Sequence, residues 1–335
     1  MDAIRCESFP DDRDVRRSRW VACLSSIQCN RLHLRGPLAG KPTVDFVFKK
    51  VFGSPENIPV LIGLLNAILK LAQPIVRVEI LNPFSYQEFA DDKLVVLDIR
   101  ACDSAGRWLN IEMQVTVFTG LLQRLVYYAC TMYVGQLDPG RNYKELRSAI
   151  SICLLSKPLF RENPVPHHRF RLADPEHGME VSDSLEVHTL ELTKYNLRKE
   201  TIFSAPAIEQ WAFFFLFADR YEPEQLREML PGVEFQQAIT VVETIAAKTE
   251  DRIMYDQRLK AQRDYQWGLD SAREEGRQEG RQEGMEKGET VGKIQILQEL
   301  LGDAPSSTAS LRERTSGELS AMLTDLQQRL RSRQS

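Results

Sequence analysis

The chain has 335 residues, of which 43% are hydrophobic, and its formal net charge at pH 7 is −4. This hydrophobic share is ample for a substantial core, so the composition excludes a wholly disordered protein. The slight negative charge also excludes a protein that binds nucleic acid through its overall charge, and any such surface must be local.

Cysteine spacing and hydropathy bear on the location of the protein. The six cysteines are scattered, and no two are spaced as in C-x-x-C, which favours reduced, mostly buried thiols in a cytoplasmic protein over a zinc ribbon or a disulfide framework. The longest apolar run, WAFFFLFA at 211–218, is too short to cross a membrane and predicts a core helix. The N-terminus lacks the basic-then-apolar order of a secretory signal, so we expect a cytoplasmic protein with no membrane association.

The first predicted elements follow a segment without sustained periodicity. Residues 1–40 carry mixed charge and predict a loosely ordered N-terminal extension. Apolar residues at helical spacing then predict two helices, separated at Gly53-Ser54-Pro55. A strand, a two-stranded hairpin, a helix and a buried strand follow, at 75–81, 93–117, 119–137 and 147–160. The predicted order is therefore helix, three strands, helix, strand.

The second half of the chain changes from alternating to helical patterning. Residues 167–193 alternate weakly and predict a peripheral hairpin, whereas the pattern is helical from about residue 205 onward. We therefore expect a first domain at 41–200, a helical region at 201–272, and a repeat with an amphipathic tail at 273–335.

A glycine repeat occupies residues 273–292, REEG RQEG RQEG MEKG ETVG. Each glycine inside a helix costs about 1 kcal/mol relative to alanine, so this segment is not stable as an isolated helix. Two interpretations stay open, a solvated spacer or a helix that packs its glycine stripe on another helix, such as that of a second subunit. The amphipathic segments 294–301 and 319–330 favour association and predict a homo-oligomer formed through the C-terminal helices.

Two carboxylates lie in the middle of the predicted hairpin, KLVVLDIRACDSAGRWLNIEMQVTV at 93–117. A turn centred on Ala105 pairs residues whose numbers sum to 210, so Asp98 faces Glu112, and strand alternation places Gln114 on the same face. Like charges this close are destabilising without a cation between them, and two oxygen donors suit Mg²⁺ or Mn²⁺. The alternative is the exposed face of an antiparallel sheet, where acidic residues cost little.

Four segments carry a family likeness in the right order: VDFVFKKVFG, VLDIRACDSAGRWLNIEMQ, QRLVYYACTMYVGQLDPGRNY and ISICLLS. Over roughly residues 41 to 290, the chain resembles the PD-(D/E)XK nuclease family transposases, also called Rpn-type recombination-promoting nucleases. The resemblance implies an α/β fold with a restriction-endonuclease-like αβββαβ core. In that core a mixed central sheet is flanked by helices, and a mainly helical C-terminal region follows.

The resemblance also implies an activity, the Mg²⁺- or Mn²⁺-dependent hydrolysis of DNA phosphodiester bonds by an endonuclease linked to recombination or mobile elements. It assigns Asp98 and Glu112 as catalytic metal ligands, with Gln114 at the position of the usual lysine, where it would orient the attacking water. Glutamine brings no positive charge. The alternative is therefore a catalytically weak or inactive relative that binds DNA or protein and self-associates.

Two further candidates lie on the predicted helices. Asp45, on the first helix, is a candidate third metal ligand, and the alternative is an N-terminal acid favoured by the helix dipole. Arg124, on the helix after the hairpin, is a candidate phosphate contact, and a surface salt bridge is the alternative. We expect Tyr127 and Tyr128 to pack in the core rather than to stack on bases.

A basic stretch between residues 141 and 171 contains seven Lys or Arg residues against two acids. This local excess of positive charge is typical of a segment that contacts phosphates, with Arg141, Lys144 and Arg147 as the candidate DNA-binding residues. A solvated basic loop is the alternative interpretation.

Overall fold

The computed structural model describes residues 37–85, 98–138, 140–181 and 183–334. The chain divides into two compact units between Tyr255 and Asp256. Residues 1–36 of the predicted N-terminal extension lie outside the described residues. Leu38, which follows them, is buried, and its N–H donates to the main-chain oxygen of Tyr221 at 2.8 Å.

The strands of the first unit form one six-stranded mixed sheet and one two-stranded ribbon. They are β1 (Val78–Ile80), β2 (Asp98–Asp103), β3 (Trp108–Gln114), β4 (Ala149–Leu155), β5 (His167–Arg171), β6 (Ala173–Asp174), β7 (Met179–Glu180) and β8 (Leu185–Glu191). The large sheet has the order β1-β2-β3-β4-β8-β5, and the ribbon pairs β6 with β7. The β3–β4 and β4–β8 pairs are parallel, and the other pairs of the large sheet are antiparallel.

The helices up to residue 301 are α1 (Asp45–Phe52), α2 (Ile58–Leu69), α3 (Leu121–Val134), α4 (Ala207–Phe217), α5 (Pro223–Met229), α6 (Val233–Ala247) and α7 (Thr249–Leu301), the last of which spans the division between the units. Of these, α1, α2 and α3 flank the sheet, through contacts with β2, β1 and β4 respectively. The predicted order of helix, three strands, helix and strand is confirmed. No single helix among the described residues has the length and apolar character of a membrane span, and α1 and α2 reach them only together, across a 68° bend.

Both faces of the sheet are covered. Every residue of β4 is buried, and alternation sends its side chains to opposite faces in turn. On one face Cys153 and Leu155 pack against α3 through Leu121 and Leu125. On the other face α1 and α2 contact β2 and β1. The face that carries Glu112 is therefore the one beneath α3, because Glu112 is the register partner of Cys153.

An aromatic cluster joins the helices of the first unit. In α4, the ring of Trp211 lies 5.5 Å from that of Phe52 and 4.2 Å from that of Phe235, and all three side chains are buried. This confirms the core helix predicted from WAFFFLFA. It also shows why the helices after residue 200 pack with the first unit as far as Tyr255, since their apolar surface completes the core of α1 and α2.

The segment 167–193 differs from its prediction. β5 and β8 pair as an antiparallel hairpin, but β8 is not peripheral, because it lies inside the sheet between β4 and β5. The hydrophobic alternation of β8 is weak because two of its buried positions carry the polar residues Glu186 and His188. Both side chains are hydrogen-bonded inside the protein. Hydrophobic periodicity does not detect a buried strand of this kind.

The second unit consists of the later part of α7 with α8 (Thr308–Arg312) and α9 (Ser316–Gln334). The amphipathic segments 294–301 and 319–330 pack on each other within this chain. Their role in self-association stays a prediction. The small core contains Val291, Ile294, Leu301, Leu311, Leu319 and Leu326. The glycine repeat is helical, and a Cβ atom added at Gly276, Gly280 or Gly284 would meet no heavy atom within 4 Å.

Candidate active site

The register predicted for the central hairpin is confirmed. β2 pairs with β3 so that Asp98 lies opposite Glu112 and Arg100 lies opposite Asn110. The described part of Asp98 is its backbone, which begins β2. The backbone register therefore places the two acids at directly facing positions of β2 and β3.

The turn that sets this register is held by its own side chains. Asp103 accepts hydrogen bonds at Oδ1 from the N–H groups of Ala105 (2.9 Å) and Arg107 (3.0 Å). Gly106 has a φ of 78°, which a residue with a side chain rarely adopts. This aspartate-centred turn connects the two strands without an insertion, and so fixes the pairing of Asp98 with Glu112 further along the hairpin.

Glu112 is completely buried in the middle of β3. Its Oε2 accepts hydrogen bonds from Gln114 Nε2 at 3.1 Å and from Arg124 Nη2 at 3.0 Å. The alternative of an exposed acidic face is therefore wrong for Glu112. A buried carboxylate is costly unless it is paired, so the arginine on α3 is the compensating charge within the described residues.

The hydrogen bond to Glu112 determines which way the Gln114 amide points. Its nitrogen must face the carboxylate, because two facing oxygens would repel each other. The side-chain oxygen of Gln114 is therefore directed away from Glu112 Oε2. Gln114 ends β3, and its main-chain oxygen accepts from the N–H of Ser156 at 3.1 Å, which ties the ends of β3 and β4 together.

Arg124 lies in the first turn of α3 and has a side chain that is 32% exposed. Its guanidinium carbon lies 4.7 Å from the ring centroid of Phe118 and 5.7 Å from that of Tyr128. The surface salt bridge considered above is therefore a bridge to a fully buried partner. Core packing was wrong for Tyr127, which is 65% exposed, whereas Tyr128 borders the site through Arg124.

Asp45 is the first residue of α1, and its Oδ1 accepts from the N–H of Phe46 at 2.8 Å. This contact is the one expected of an acid at a helix N-terminus. Its role as a third metal ligand stays a prediction.

The predicted DNA-binding residues Arg141, Lys144 and Arg147 lie away from Glu112. They connect α3 to the beginning of β4, and β3 runs parallel to β4, so they are at the end of the sheet opposite to Gln114. Arg141 is paired with Glu145 at 3.0 Å. The structure does not bring this segment to the site.

Two other cations of the basic stretch lie at the end of the sheet that carries the site. Lys157 and Arg161 follow the carboxyl end of β4 and are exposed. Lys157 directly follows Ser156, which bonds to Gln114. Sequence reasoning did not select them. The available signal was their position just after a buried parallel strand, because the carboxyl ends of parallel strands share one edge of the sheet.

The cysteines of the described residues, Cys102, Cys130 and Cys153, are free. Cys153 is buried beside Glu112 in the register, whereas Cys102 and Cys130 are partly exposed, so the prediction of buried thiols holds only for Cys153. Burial raises the pKa of the Cys153 thiol well above its usual value, and the charge of Glu112 raises it further. The thiol is therefore neutral at pH 7 and is no nucleophile there.

The donor set of the site consists of oxygen ligands. Within the described parts of the chain, no group of three or more His, Cys, Asp or Glu side chains is placed to hold a metal ion. The register places the two acids Asp98 and Glu112 opposite each other, and Gln114 adds an amide oxygen on the same face. These are hard oxygen donors, and their chemistry fits Mg²⁺ or Mn²⁺ rather than a soft metal.

Comparison with known proteins agrees with this architecture. A family profile described as PD-(D/E)XK nuclease family transposase matches residues 42–272, well over half of the chain. The comparison found no match among curated proteins or solved structures. The matched segment contains the αβββαβ core and the Asp98–Glu112 hairpin, and it supports a nuclease or transposase-related function. The chain thus belongs to the PD-(D/E)XK nuclease family transposases.

Proposed function

We propose that the chain is a metal-dependent DNA endonuclease that hydrolyses phosphodiester bonds in recombination or in the movement of mobile elements. The observation that carries this proposal is the fully buried Glu112, which is the register partner of Asp98 and is bonded to Gln114 and Arg124. A buried acid in a central strand does not serve the stability of the core, since an aliphatic residue of similar size at that position would give an equal or greater free energy of unfolding.

PD-(D/E)XK nucleases generally use divalent metal ions. In this chain Asp98 and Glu112 would hold Mg²⁺ or Mn²⁺. When bound, such an ion supplies a water of lowered pKa and polarises a phosphate oxygen. Gln114 keeps one amide N–H on Glu112, which leaves its second N–H and its side-chain oxygen to orient a water molecule.

The cations near this end of the sheet suit the phosphate backbone of DNA. Arg124 presents a partly exposed guanidinium beside Glu112, and Lys157 and Arg161 follow the neighbouring strand end. We therefore assign backbone contacts to these three residues in preference to Arg141 and its neighbours.

The test is nicking of supercoiled plasmid by the full-length protein with Mg²⁺ or Mn²⁺. We expect Asp98→Asn and Glu112→Gln each to lower the nicking rate on the order of 100-fold or more, because each removes a charged oxygen ligand. Glu274→Gln, an equivalent change in an exposed Glu–Arg pair of α7, should leave the rate unchanged. Nicking that survives both site variants at the original rate would refute the assignment.

The absence of a lysine motivates a second candidate, a weak or inactive relative that binds DNA. Gln114 brings no positive charge to Glu112, and the cation that the described part of the chain places beside it is Arg124. If the wild-type protein binds DNA with a strong salt dependence but does not nick it in Mg²⁺ or Mn²⁺, this second function is the correct one.

A further inference from the structure

We propose that Arg124 is a resident counter-ion of Glu112 that competes with the divalent ion, so that this arginine sets the metal affinity of the site. This inference rests on the proposed function, because it assumes that Glu112 is a metal ligand. It adds a regulatory role for a residue of α3 that neither the hairpin nor the family likeness assigns.

The first support is the use of one carboxylate oxygen by two donors. Glu112 Oε2 accepts from Arg124 Nη2 at 3.0 Å and from Gln114 Nε2 at 3.1 Å. A carboxylate oxygen has two lone-pair directions, and these two hydrogen bonds use both. A cation that binds at Oε2 must therefore replace one of the two donors, and a cation that binds at the other carboxylate oxygen is still repelled by the guanidinium charge. The guanidinium is the donor that a second positive charge repels.

The second support is that an arginine at this position does not stabilise α3. Arg124 lies in the first turn of α3, where the helix dipole disfavours a positive charge. Its compensation is the buried carboxylate, whose own charge would otherwise be costly. The pair therefore stabilises Glu112 in the metal-free protein rather than the helix.

The third support is that the Arg124 guanidinium has other favourable contacts when it leaves Glu112. The Arg124 side chain is 32% exposed and lies against the rings of Phe118 and Tyr128, which can hold its plane without its bond to Glu112. Its Nε atom is buried and has no hydrogen-bond partner within the described residues. Arg124 thus has unused donors, and a phosphate oxygen is an acceptor suited to them.

The competition gives an ordered set of metal affinities. Removing the guanidinium charge with Arg124→Gln should tighten binding of Mn²⁺ about tenfold, because the ion no longer displaces a buried ion pair. Arg124→Lys should tighten it less, since the ammonium keeps the charge but loses the planar contact with Phe118 and Tyr128. The predicted order of affinity is Gln above Lys above the wild-type arginine.

The experiment measures free Mn²⁺ by electron paramagnetic resonance during titration of the full-length proteins, after circular dichroism has confirmed their folding. Arg227→Gln is the matched control, since it removes an arginine from a half-buried Arg–Glu pair between α5 and α6. It should bind Mn²⁺ as the wild type does. Glu112→Gln should abolish binding in both the wild-type and the Arg124→Gln background.

The outcomes separate this inference from the proposed function. If the wild type binds Mn²⁺ through Glu112 but Arg124→Gln binds it equally or more weakly, the counter-ion role is wrong and the metal site stands. If the wild type binds no Mn²⁺, the metal-dependent function fails and the inference fails with it. Should Arg124→Gln not fold, Arg124→Lys decides, and an affinity no greater than wild type overturns the proposal.

Discussion

Glu186 and His188 form the most densely bonded acid–histidine pair among the described strands. Arg169 donates to both carboxylate oxygens of Glu186, at 3.0 and 2.6 Å, and His188 Nε2 lies 3.1 Å from Oε2. Burial raises the pKa of Glu186, but the hydrogen bonds from His188 and Arg169 outweigh it and lower the pKa to about 2. Because Glu186 is ionised, His188 donates to it from Nε2, and His188 Nδ1 lies 2.9 Å from His167 Nε2.

This network predicts a stability that falls with acidification. Burial, then the neighbouring His188 and Lys70, lower the pKa of His167 from 6.5 to about 4. Between pH 6.5 and about 4, the unfolded chain therefore binds a proton at His167 that the native chain does not bind. The stability of the native chain falls as the pH is lowered through this range. Glu186 acts in the same direction at lower pH. Its depressed pKa contributes stability above 4.5 that is lost as the pH falls toward 2.

The measurement is thermal unfolding followed by circular dichroism from pH 8 to pH 4. We expect His167→Gln to flatten the decrease in melting temperature between pH 6.5 and pH 4.5, because a glutamine does not titrate. His177→Gln, which changes an exposed histidine paired with Asp174, is the matched control. Equal pH dependence in His167→Gln and the wild type would contradict the assignment.

At the scale of elements, α7 is a helix of 53 residues that carries glycines at four-residue intervals. A Cβ atom at Gly280 or Gly284 would meet no heavy atom within 4 Å, so in this chain the glycines are not needed for close packing. Surface pairs such as Glu274 with Arg277 compensate little of this cost, because both charges are exposed and screened by solvent. The single chain therefore gives no reason for the glycines, and both interpretations of the repeat remain testable.

Replacing Gly280 and Gly284 with alanine distinguishes the two interpretations. If the repeat is a solvated spacer, each substitution should stabilise the helix by about 1 kcal/mol, which circular dichroism during thermal unfolding will detect. If the stripe packs on a second copy, the added methyl groups should weaken self-association in sedimentation experiments instead. The paired change Gln278→Ala and Gln282→Ala, on exposed positions of the same helix, controls for side-chain effects.

At the scale of the whole molecule, the candidate site and the tail belong to different compact units. The sheet, α1 to α6 and all candidate site residues lie before Tyr255, and the core of α8 and α9 lies after it. The family match extends to residue 272 and so includes the beginning of α7 beyond this division. A ligand of the site should therefore stabilise only one of the two units.

Calorimetry of the full chain should show two unfolding transitions, and Mn²⁺ should raise the temperature of only one. An ion at ten times its dissociation constant adds about 1.4 kcal/mol to the unit that binds it. Glu112→Gln should remove this shift and leave the other transition unchanged. A single transition that shifts as a whole would show that the two units unfold together.

Local rules were sufficient for much of the fold and for the hairpin. Alternation and the aspartate turn determine that Asp98 pairs with Glu112, because strand register depends on residues within one hairpin. Apolar runs likewise determine α1, α2, β4 and α4, since their periodicity reports burial directly. The likeness of four ordered segments was enough to identify the family that the comparison confirms.

The amino-acid sequence by itself thus determined the order of the elements, the facing acids and the family. Only the tertiary structure decided that Arg124 pairs with a buried Glu112, that β8 enters the sheet, and that Arg141 lies at the far end from Gln114. The physical reason is the separation along the chain over which each kind of interaction acts. Periodicity and turns act over a few residues, whereas the pairing of a helix with a strand face, and the order of parallel strands, depend on packing between segments far apart in the chain.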